Sequence, residues 1–482
     1  MSDPVSSPVI IWFRRDLRLA DNAALTAAVE TGAQSIAVFI REPEPEVALP
    51  QGAAQAWWLH HSLNALRQDL RQRGADLVLA SGQASAVLAH LAKQTGAKTV
   101  FFNRCYERDA WDRDVTRVLK DVGVSVQAFH GQLLHDPTRI RTGAGQAFRV
   151  FTPFWKALQA LGEPREPLGA PERIKGTDLA PESERLEDWG LLPTRPNWAA
   201  GFDEVWTPGE RGAQTKIDDF IDSRLGDYKR GRDLPGKDYS SRLSPHLAHG
   251  EITPSQAWHA VSGRSDIDPA QITHFRRELA WRDFNYNLLV EFPNLATRNW
   301  SPSFNGFQWM ANQSLFGAWA KGLTGYPIVD AGMRQLWREG YMHNRVRMIT
   351  ASFLIKDLMI DWRTGEQWFR DTLVDADPAN NAASWQWVAG SGADASPFFR
   401  IFNPLLQGEK FDPDGDYVRR YVPELTGIGD KYIHRPFEAP EHVLEQAGVV
   451  LGQTYPRPIV NHSEARDRAL AAYRGMRDHS DD

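Results

Sequence analysis

The pattern of apolar and polar positions differs between the first 135 residues and the rest of this chain. The first 135 residues contain five short apolar runs, at 9–13, 35–40, 76–80, 99–103 and 124–129. Amphipathic stretches near 22–31, 54–73, 84–95 and 107–122 separate these runs. Apolar strands that alternate with helices are typical of a parallel, doubly wound sheet, whose ligands bind beyond the carboxyl ends of the strands. We therefore predict an α/β domain over residues 1–135. The loop after the first run, RRDLR, matches neither GxGxxG nor GxxxxGK[ST], so both nucleotide-binding fingerprints are missing.

The chain changes character over residues 160–212, which are rich in Pro, Gly and Glu. Such composition is typical of a long surface connection, and we predict an inter-domain linker over residues 136–212. Helix-start signals follow at 253–256, 268–271, 325–327 and 364–367, and the second of them opens a helix that runs to about Phe292. These signals predict an all-helical domain over residues 213–482. The predicted fold class is thus an α/β domain with a Rossmann-like, five-stranded parallel sheet, plus an all-α domain.

Composition restricts the class of protein. Of the 482 residues, 42% are hydrophobic and 24% charged, as in soluble globular proteins of two or three domains. No apolar run reaches membrane-spanning length, and the polar start has no signal-peptide core. The single cysteine, Cys105, excludes an internal disulfide framework and fits a reducing cytoplasm. The histidines show no metal-ligand spacing, so we expect no metal.

Charge leaves the question of nucleic acid open. The net charge of −6 argues weakly against DNA, because neutralising phosphates requires lysine and arginine. Local distribution matters more, however, and segment 229–242 is strongly basic. A DNA-binding patch and ordinary solvated surface charge are equally good explanations of this segment.

Tryptophan is unusually frequent. Ten of the 18 tryptophans lie between Trp258 and Trp387. Aromatic residues at this density usually form a large helical core, but indoles also stack on bases and carry single electrons.

Two helical faces and one short motif combine polar and aromatic side chains. Glu278, Trp281 and Arg282 share one face of a predicted helix, and Asn344, Arg347 and Met348 share another. Trp385 and Trp387 flank Gln386. The ordinary explanation is a surface ion pair beside core residues. So many buried polar groups would destabilise a purely structural core, however, and together these side chains could grip a stacked pair of pyrimidines. Similarly, the hydroxyls and guanidinium of segment 239–244 could bind phosphate, although an ordinary helix cap explains them as well.

Four motifs carry a resemblance to a known family: GRDLPGKDYSSRLSPHLAHG, ELAWRDFNY, GYPIVDAGMRQLWREGYMHNRVRMITASFLIKDLMIDWR and WQWVAGSGADASPFFRIFNPLLQGEKF. Along essentially its whole length the chain resembles the photolyase–cryptochrome family. The resemblance implies an N-terminal antenna domain and a helical domain that holds a U-shaped FAD, reduced to FADH⁻ in its active form. The activity implied is light-driven splitting of cyclobutane pyrimidine dimers in DNA.

The resemblance also implies roles for individual residues. The residues implied to bind FAD are Tyr228, Ser240, Ser241, Arg242, Leu243, Ser244, Phe275, Arg282, Arg347, Asp375, Ala376, Asp377 and Asn381. Among these, Arg347 would pair with Asp375, and Asn381 would face flavin N5, where a neutral amide can accept the N5–H bond. The residues implied to bind the lesion or DNA are Arg232, Glu278, Trp281, Asn344, Arg345, Met348, Trp387 and Gln407. Glu278 would hydrogen-bond a carbonyl of the dimer. Trp385, Trp362 and Trp309 match the family's electron-transfer chain, and the nearby Trp319, Trp337 and Trp368 suggest a branch.

Within the family the chain is most similar to bacterial class III photolyases. Asn344 and Met348 replace the histidines of members that act on (6-4) photoproducts, and Asn381 replaces the aspartate of plant cryptochromes. Class III members bind methenyltetrahydrofolate as an antenna, and we expect that chromophore. The acidic pair of some folate-binding members reads Asp109-Ala110 here, which breaks that pattern.

Two alternatives stay open at this point. A cryptochrome-like photoreceptor would signal without repair, although the short tail after about residue 470 argues against it. A flavin-free nucleotide-binding protein would be colourless. We expect a cytoplasmic monomer whose partner is dimer-containing DNA, with no membrane.

Overall fold

The structure, a computed structural model, describes residues 7–43, 50–179, 181–394 and 399–478. Residues 395–398 of the fourth motif and the side chains of Asp109 and Ala110 lie outside the described part. By their contacts the residues form two units. The first unit comprises 1–148, 152–223 and 241–290, and the second comprises 149–151, 224–240 and 291–482. These boundaries differ from the predicted ones, because most of the predicted linker and the helices up to residue 290 group with the sheet.

Five parallel strands form the sheet of the first unit, in the order β3-β2-β1-β4-β5. Their bounds are β1 (Val9–Phe13), β2 (Ser35–Arg41), β3 (Leu77–Ser81), β4 (Thr99–Asn103) and β5 (Ser125–Phe129). The helices between them are α1 (Ala23–Glu30), α2 (Ala53–Gln72), α3 (Ala84–Thr95) and α4 (Asp109–Asp121). The predicted doubly wound sheet is therefore confirmed, with every strand displaced by no more than one residue.

Side chains of β1 explain why helices cover both faces of the sheet. Val9, Ile11 and Phe13 pack into one core together with α1 and α2. Ile10 and Trp12 point the other way, into a core with α3 and α4. Because successive strand residues face opposite sides, a run of five apolar residues has to be buried on both faces.

A polar network closes the carboxyl ends of β1 and β4. The Arg14 guanidinium pairs with Asp112 and donates to the Asn103 carbonyl at 2.5 Å. Asn103 in turn donates through Nδ2 to Asp16 and Asn22, each at 2.7 Å. All five side chains are buried, so the loop after β1 is ordered by its own polar partners.

The remaining helices follow in chain order: α5 (Phe151–Ala160), α6 (Glu210–Ser223), α7 (Tyr228–Gly231), α8 (Ser244–His249), α9 (Pro254–Ala260), α10 (Pro269–Glu291), α11 (Gln313–Ala320), α12 (Pro327–Glu339), α13 (Asn344–Ser352), α14 (Trp362–Thr372), α15 (Pro378–Ala389), α16 (Pro404–Phe411), α17 (Asp416–Tyr421), α18 (Glu441–Gln446) and α19 (His462–Asp478). A π-helix, Phe353–Asp357, continues α13. All strands of the described part precede residue 130, so the C-terminal half is helical as predicted.

Most helix starts follow the capping signals of the sequence. Thr253 and Gln256 form a reciprocal capping box at the start of α9. The prediction at Thr364 was wrong, because α14 begins two residues earlier. There Asp361 accepts from the Arg363 amide as N-cap, and Thr364 already lies inside the first turn. The predicted linker likewise contains α5 and the start of α6, although the described residues of 161–209 (all but residue 180) hold a single short 3-10 helix, Leu186–Trp189.

The core of the second unit gathers three tryptophans, Trp319, Trp362 and Trp385, each at most 2% exposed. Within the described part of the chain, no helix combines the length and apolarity needed to cross a membrane. In the same part, no cluster of three or more His, Cys, Asp or Glu side chains could hold a metal ion.

Candidate functional site

A two-pronged ion pair in the second unit joins α13 to the loop before α15. Nη1 and Nη2 of Arg347 donate to the two carboxylate oxygens of Asp375 at 3.0 and 2.8 Å. Burial opposes the charged guanidinium, but the Asp375 carboxylate outweighs this effect and the pKa of Arg347 is raised. The Arg347 Nε also donates to the Met342 carbonyl at 2.7 Å. This pair therefore fixes a guanidinium against a carboxylate in the first turn of α13.

Asn381 on α15 is oriented by a buried carboxyl group. Its Nδ2 donates to Glu366 Oε1 at 2.9 Å and to the Glu366 carbonyl at 3.1 Å. Burial raises the pKa of Glu366, even though Arg370 and Asn381 favour its charged form. Because both amide hydrogens are directed at Glu366, Oδ1 is the atom of Asn381 that can accept a bond from a ligand.

Asp377 caps α15. Its Oδ1 accepts from the Ala379 and Asn380 amides at 3.0 and 2.9 Å. Ala376, next to it, is 5% exposed. Asp375, Ala376 and Asp377 are thus all buried, on the turn that leads into the helix carrying Asn381.

The three tryptophans of the predicted electron route lie in the second unit on different elements. Trp385 on α15 packs edge-on against Phe369, with ring centroids 4.9 Å apart. Trp362 opens α14 and is fully buried, whereas Trp309 is half-buried and lies 4.4 Å from the Phe307 ring. Both Trp362 and Trp385 belong to one core, and Trp309 packs against its edge.

A second row of aromatic rings leads away from Trp385. Trp319 lies 6.4 Å from Trp385, and Phe316 lies 5.8 Å from Trp319. Trp368 follows at 5.9 Å from Phe316, and Trp337 stacks on Trp368 at 6.3 Å. Trp337 is 52% exposed, so this row connects the core to solvent.

Side chains of α13 and of the loop after α7 form a separate surface group of the second unit. Arg345 donates to Asp233 at 2.8 Å and lies 4.4 Å above the Phe411 ring. Its Nη1 also contacts Met348 Sδ at 3.7 Å. Asn344 is exposed, and Arg345 and Met348 are half-buried, so all three can be reached from solvent.

The other predicted residues of the second unit are spread over several elements. Tyr228 is buried at the start of α7, with the Arg232 guanidinium 5.5 Å from its ring centre. Ser240 is half-buried, as is Gln407 on α16. The indole of Trp387, also half-buried, donates to the Asp394 carbonyl at 3.0 Å.

In the first unit, α10 carries four of the predicted residues. Phe275 is buried 4.8 Å from the Phe220 ring. Glu278 and Trp281 are half-buried, whereas Arg282 is buried and donates to the Leu247 carbonyl at 3.2 Å. Arg282 therefore belongs to the packing of this unit and is not a surface residue.

The predicted phosphate-binding segment also lies mainly in the first unit. Ser241, Arg242 and Leu243 lead into α8, whose first residue is Ser244. Arg242 has a φ of 52°, a left-handed conformation that is rare for a residue with a side chain. Backbone conformations of this kind are found most often in loops that bind a ligand or form an active site.

Comparison with known families identifies the chain. The model described as DNA photolyase matches residues 9–172, and that described as the FAD binding domain of DNA photolyase matches residues 275–475. The deoxyribodipyrimidine photo-lyase of Agrobacterium fabrum is 58% identical over 475 residues, which is 98% of this chain and 98% of that protein. The chain belongs to the DNA photolyase family.

Further comparisons agree with this membership. The crystal structure of a bacterial class III photolyase from Agrobacterium tumefaciens has a TM-score of 0.97 and 58% identity, and covers 99% of each chain. Cryptochrome-1 of Arabidopsis thaliana is 36% identical over 97% of this chain and 70% of that protein. The resemblance predicted from the four motifs is therefore confirmed, down to the similarity with class III photolyases.

The side chains of the second unit suit the FAD of the photolyase family. The Arg347–Asp375 pair offers fixed charge and the Asn381 oxygen offers a hydrogen-bond acceptor, which are the two functions that the resemblance predicts beside the flavin ring. The assignment of each FAD-binding, lesion-binding and electron-transfer residue stays a prediction. Of the predicted lesion-binding residues, Glu278 and Trp281 belong to the first unit and Asn344, Met348 and Trp387 to the second.

Sequence reasoning missed Glu366, the partner of Asn381. One signal could have revealed it: Trp362, Gly365, Glu366 and Phe369 have the spacing of one helix face, and all four are buried. A glutamate on the apolar face of a helix needs a polar partner inside the protein.

Proposed function

We propose that this chain repairs cyclobutane pyrimidine dimers by binding FAD beside Asn381 and the Arg347–Asp375 pair. Membership of the DNA photolyase family makes it a light-dependent DNA repair enzyme, a deoxyribodipyrimidine photo-lyase that uses FAD. When bound, FAD supplies light absorption and the electron that splits the dimer. The observation that best supports the residue-level proposal is the fixed orientation of the Asn381 amide by Glu366.

Asn381 would act on the flavin as a neutral acceptor. Its oxygen can receive a hydrogen bond from N5–H, whereas it has no acidic proton to give. Arg347 would place positive charge near a reduced, anionic ring, and Asp375 would keep that charge in position. Tyr228, residues 240–244, Phe275 and Arg282 would hold the remainder of the cofactor.

Dimer-containing DNA would be bound by residues that match the family's lesion positions. Trp281 and Trp387 offer flat apolar faces, Asn344 an amide, Met348 a polarisable thioether and Glu278 a carboxyl group for a dimer carbonyl. Arg232, Arg345 and Gln407 would contact the backbone. Photolyases act on a flipped-out base, and side chains that are exposed or half-buried can contact such a substrate.

The decisive experiment measures repair directly. The chemically reduced protein is illuminated with an oligonucleotide that contains one thymine dimer, and the absorbance of the restored thymines is followed. We expect the absorbance to rise with light and not in darkness. No rise with a substrate that binds would contradict the proposal.

A photoreceptor without repair activity is the second candidate, favoured by the 36% identity to Cryptochrome-1. Asn381 argues for repair, because a carboxylic acid at this position would protonate a one-electron-reduced flavin and an amide does not. The same illumination assay separates the two candidates, since a photoreceptor would bleach and recover without restoring thymines.

We propose methenyltetrahydrofolate as the antenna, on the strength of the similarity to class III photolyases. Denaturing the purified protein and identifying its released chromophores by mass tests this assignment. A different pterin or a second flavin would contradict it.

We also propose that the protein works as a monomer in the cytoplasm, where its DNA substrate lies.

A further inference from the structure

The indole N–H of Trp362 is held by an amide in the interior of the second unit. Trp362 Nε1 donates to Asn299 Oδ1 at 2.9 Å, and both side chains are buried. Asn299 in turn donates through Nδ2 to Asn305 Oδ1 at 2.9 Å. This second bond fixes which atom of Asn299 faces the indole, because the donor end of the amide is already engaged.

The loop that carries Asn299 is itself anchored. Gln386, between the two tryptophans of α15, donates to the Leu295 and Arg298 carbonyls at 2.6 and 2.8 Å. Its Oε1 accepts from the Trp300 amide at 2.7 Å. The neighbours of Asn299 on both sides are thus bound to one buried side chain, and the contact with Trp362 is not an accident of a loose loop.

A cation also lies close to the ring of this tryptophan. The Arg363 guanidinium is 4.7 Å from the Trp362 ring centre and pairs with Asp361 at 3.0 Å. The Arg363 charge disfavours positive charge on the Trp362 ring, and the Asp361 carboxylate offsets part of this repulsion. The side chains of Arg363 and Asp361 are both about one-third exposed, so solvent weakens the repulsion further.

We propose that Asn299 makes Trp362 an electron relay that is oxidised without losing its indole proton. The inference rests on the proposed electron route. When Trp385 has lost an electron to the light-excited flavin, it regains one from Trp362, and Trp362 becomes a radical cation. No proton moves in this step, because an amide oxygen is far too weak a base to take the N–H proton.

Retention of the proton keeps the relay fast and directional. A deprotonated indolyl radical would need an electron and a proton together, so the positive charge would stop at Trp362. The radical cation needs only an electron from the next tryptophan, Trp309 in the proposed route. The positive charge of Arg363 also favours this onward step, because it destabilises the radical cation on Trp362 and so favours its reduction by Trp309.

The test compares Asn299→Asp with Asn305→Asp, each combined with Trp309→Phe. Loss of Trp309 blocks the outward step, so the radical on Trp362 can be observed by transient absorption after a flash. Both Asp variants add one negative charge to the same hydrogen-bonded chain. Only Asn299→Asp puts a proton acceptor against the indole, and Asn305→Asp is the matched control.

We expect Trp309→Phe alone and the Asn305→Asp control to show a radical cation whose decay is unchanged in heavy water. In Asn299→Asp the visible band should shift to shorter wavelength as the neutral radical forms, the decay should slow several-fold, and the conversion should slow in heavy water. A pH series from neutral to alkaline ensures that the introduced carboxyl group is ionised.

Three results would overturn the inference. They are a neutral radical in Trp309→Phe alone, a persistent radical cation in Asn299→Asp at every pH, or equal conversion in both Asp variants. The first needs no substitution at Asn299, so it decides the matter even if Asn299→Asp does not fold.

The proposed function is contradicted by different results. One is the absence of dimer repair by the chemically reduced parent protein. The other, for the electron route, is undiminished photoreduction in a chain that lacks Trp385, Trp362 and Trp309.

Discussion

At the scale of single residues, the orientation of one amide decides what the site can do. Asn381 could present either oxygen or nitrogen to a ligand, and the buried carboxyl group of Glu366 selects the oxygen. The sequence identifies Asn381 through the resemblance, but the selection comes from a residue fifteen positions earlier on another helix. No local pattern encodes that contact, because it depends on how α14 and α15 pack.

Replacing Glu366 by Leu should release the Asn381 amide. We expect a loss of about 1–3 kcal/mol in stability, since one hydrogen of the half-buried Asn381 amide loses its acceptor and only the bond to the Glu366 carbonyl is left. We also expect a lower yield of reduced flavin under light, because the acceptor at N5–H is no longer fixed. Thermal unfolding and flavin absorbance measure the two effects. Glu366→Gln, which keeps an acceptor, serves as control, and equal behaviour of the two variants would show that orientation is unimportant.

Glu278 should matter for repair and not for the cofactor. Its carboxyl group is half-buried on α10, and the proposal gives it one hydrogen bond to a dimer carbonyl. Such a bond to a developing charge is worth about 1.5–3 kcal/mol, so Glu278→Ala should slow the splitting of the dimer about tenfold or more and thereby lower the quantum yield of repair. The flavin content, measured by absorbance, should stay the same. An unchanged quantum yield would refute the role.

At the scale of elements, close packing of α14 on α15 sets the position of Trp385. A Cβ atom on Gly365 would lie 2.5 Å from Trp385 Cζ3 and 2.6 Å from Leu354 Cδ2.

Alternating apolar runs located the strands almost to the residue, because burial on both faces leaves a continuous signal. Helix starts were less certain, and the Thr364 signal failed where Asp361 offered an earlier cap.

Gly365→Ala should therefore destabilise the protein. Alanine favours a helix over glycine by about 1 kcal/mol, but overpacking costs about 1–3 kcal/mol, so the net effect should be a loss. Gly317→Ala on α11, where a Cβ atom would meet nothing within 4 Å, is the matched control and should be neutral or stabilising. Urea midpoints compare the two. A stable Gly365→Ala variant would mean that α14 can shift, and photoreduction should then change.

The second row of rings predicts residual electron transfer. Trp362→Phe should keep part of the photoreduction, because Trp319, Trp368 and Trp337 still connect Trp385 to solvent. Adding Trp368→Phe should remove most of the remainder. The rate of flavin reduction under constant blue light, with an external thiol as donor, is the measurement. Complete loss in Trp362→Phe alone would exclude the branch.

At the scale of the whole molecule, buried polar contacts join segments that are distant in sequence. Asp283 on α10 accepts from the Leu134 and His135 amides at 3.2 and 3.1 Å, after the end of β5. Burial raises the pKa of Asp283 to about 7, although the two amides favour its charged form. The sequence predicted an α/β domain and a helical domain. Composition alone could not show that α10 belongs to the same unit as the sheet.

This shift predicts how stability depends on pH. The folded pKa is raised, so the contribution of Asp283 is fully present below about pH 4 and is lost as pH rises through about 7. A shift from 3.8 to about 7 corresponds to about 4 kcal/mol as an upper bound. Asp283→Asn cannot ionise, and its stability relative to the parent should rise over this interval. Urea unfolding at several pH values measures the difference, and a constant difference would contradict the assignment.

The chain passes between the two units more than once, and this has a practical consequence for truncation. A fragment that starts at residue 213 would retain Glu251 but lose Trp58, whose indole donates to that fully buried carboxylate at 2.9 Å. It would also keep Asp283 and discard the two amides that bind it. A shortened protein made to isolate the helices would thus begin with orphaned acids in its interior, because the donors of both acids lie before residue 136.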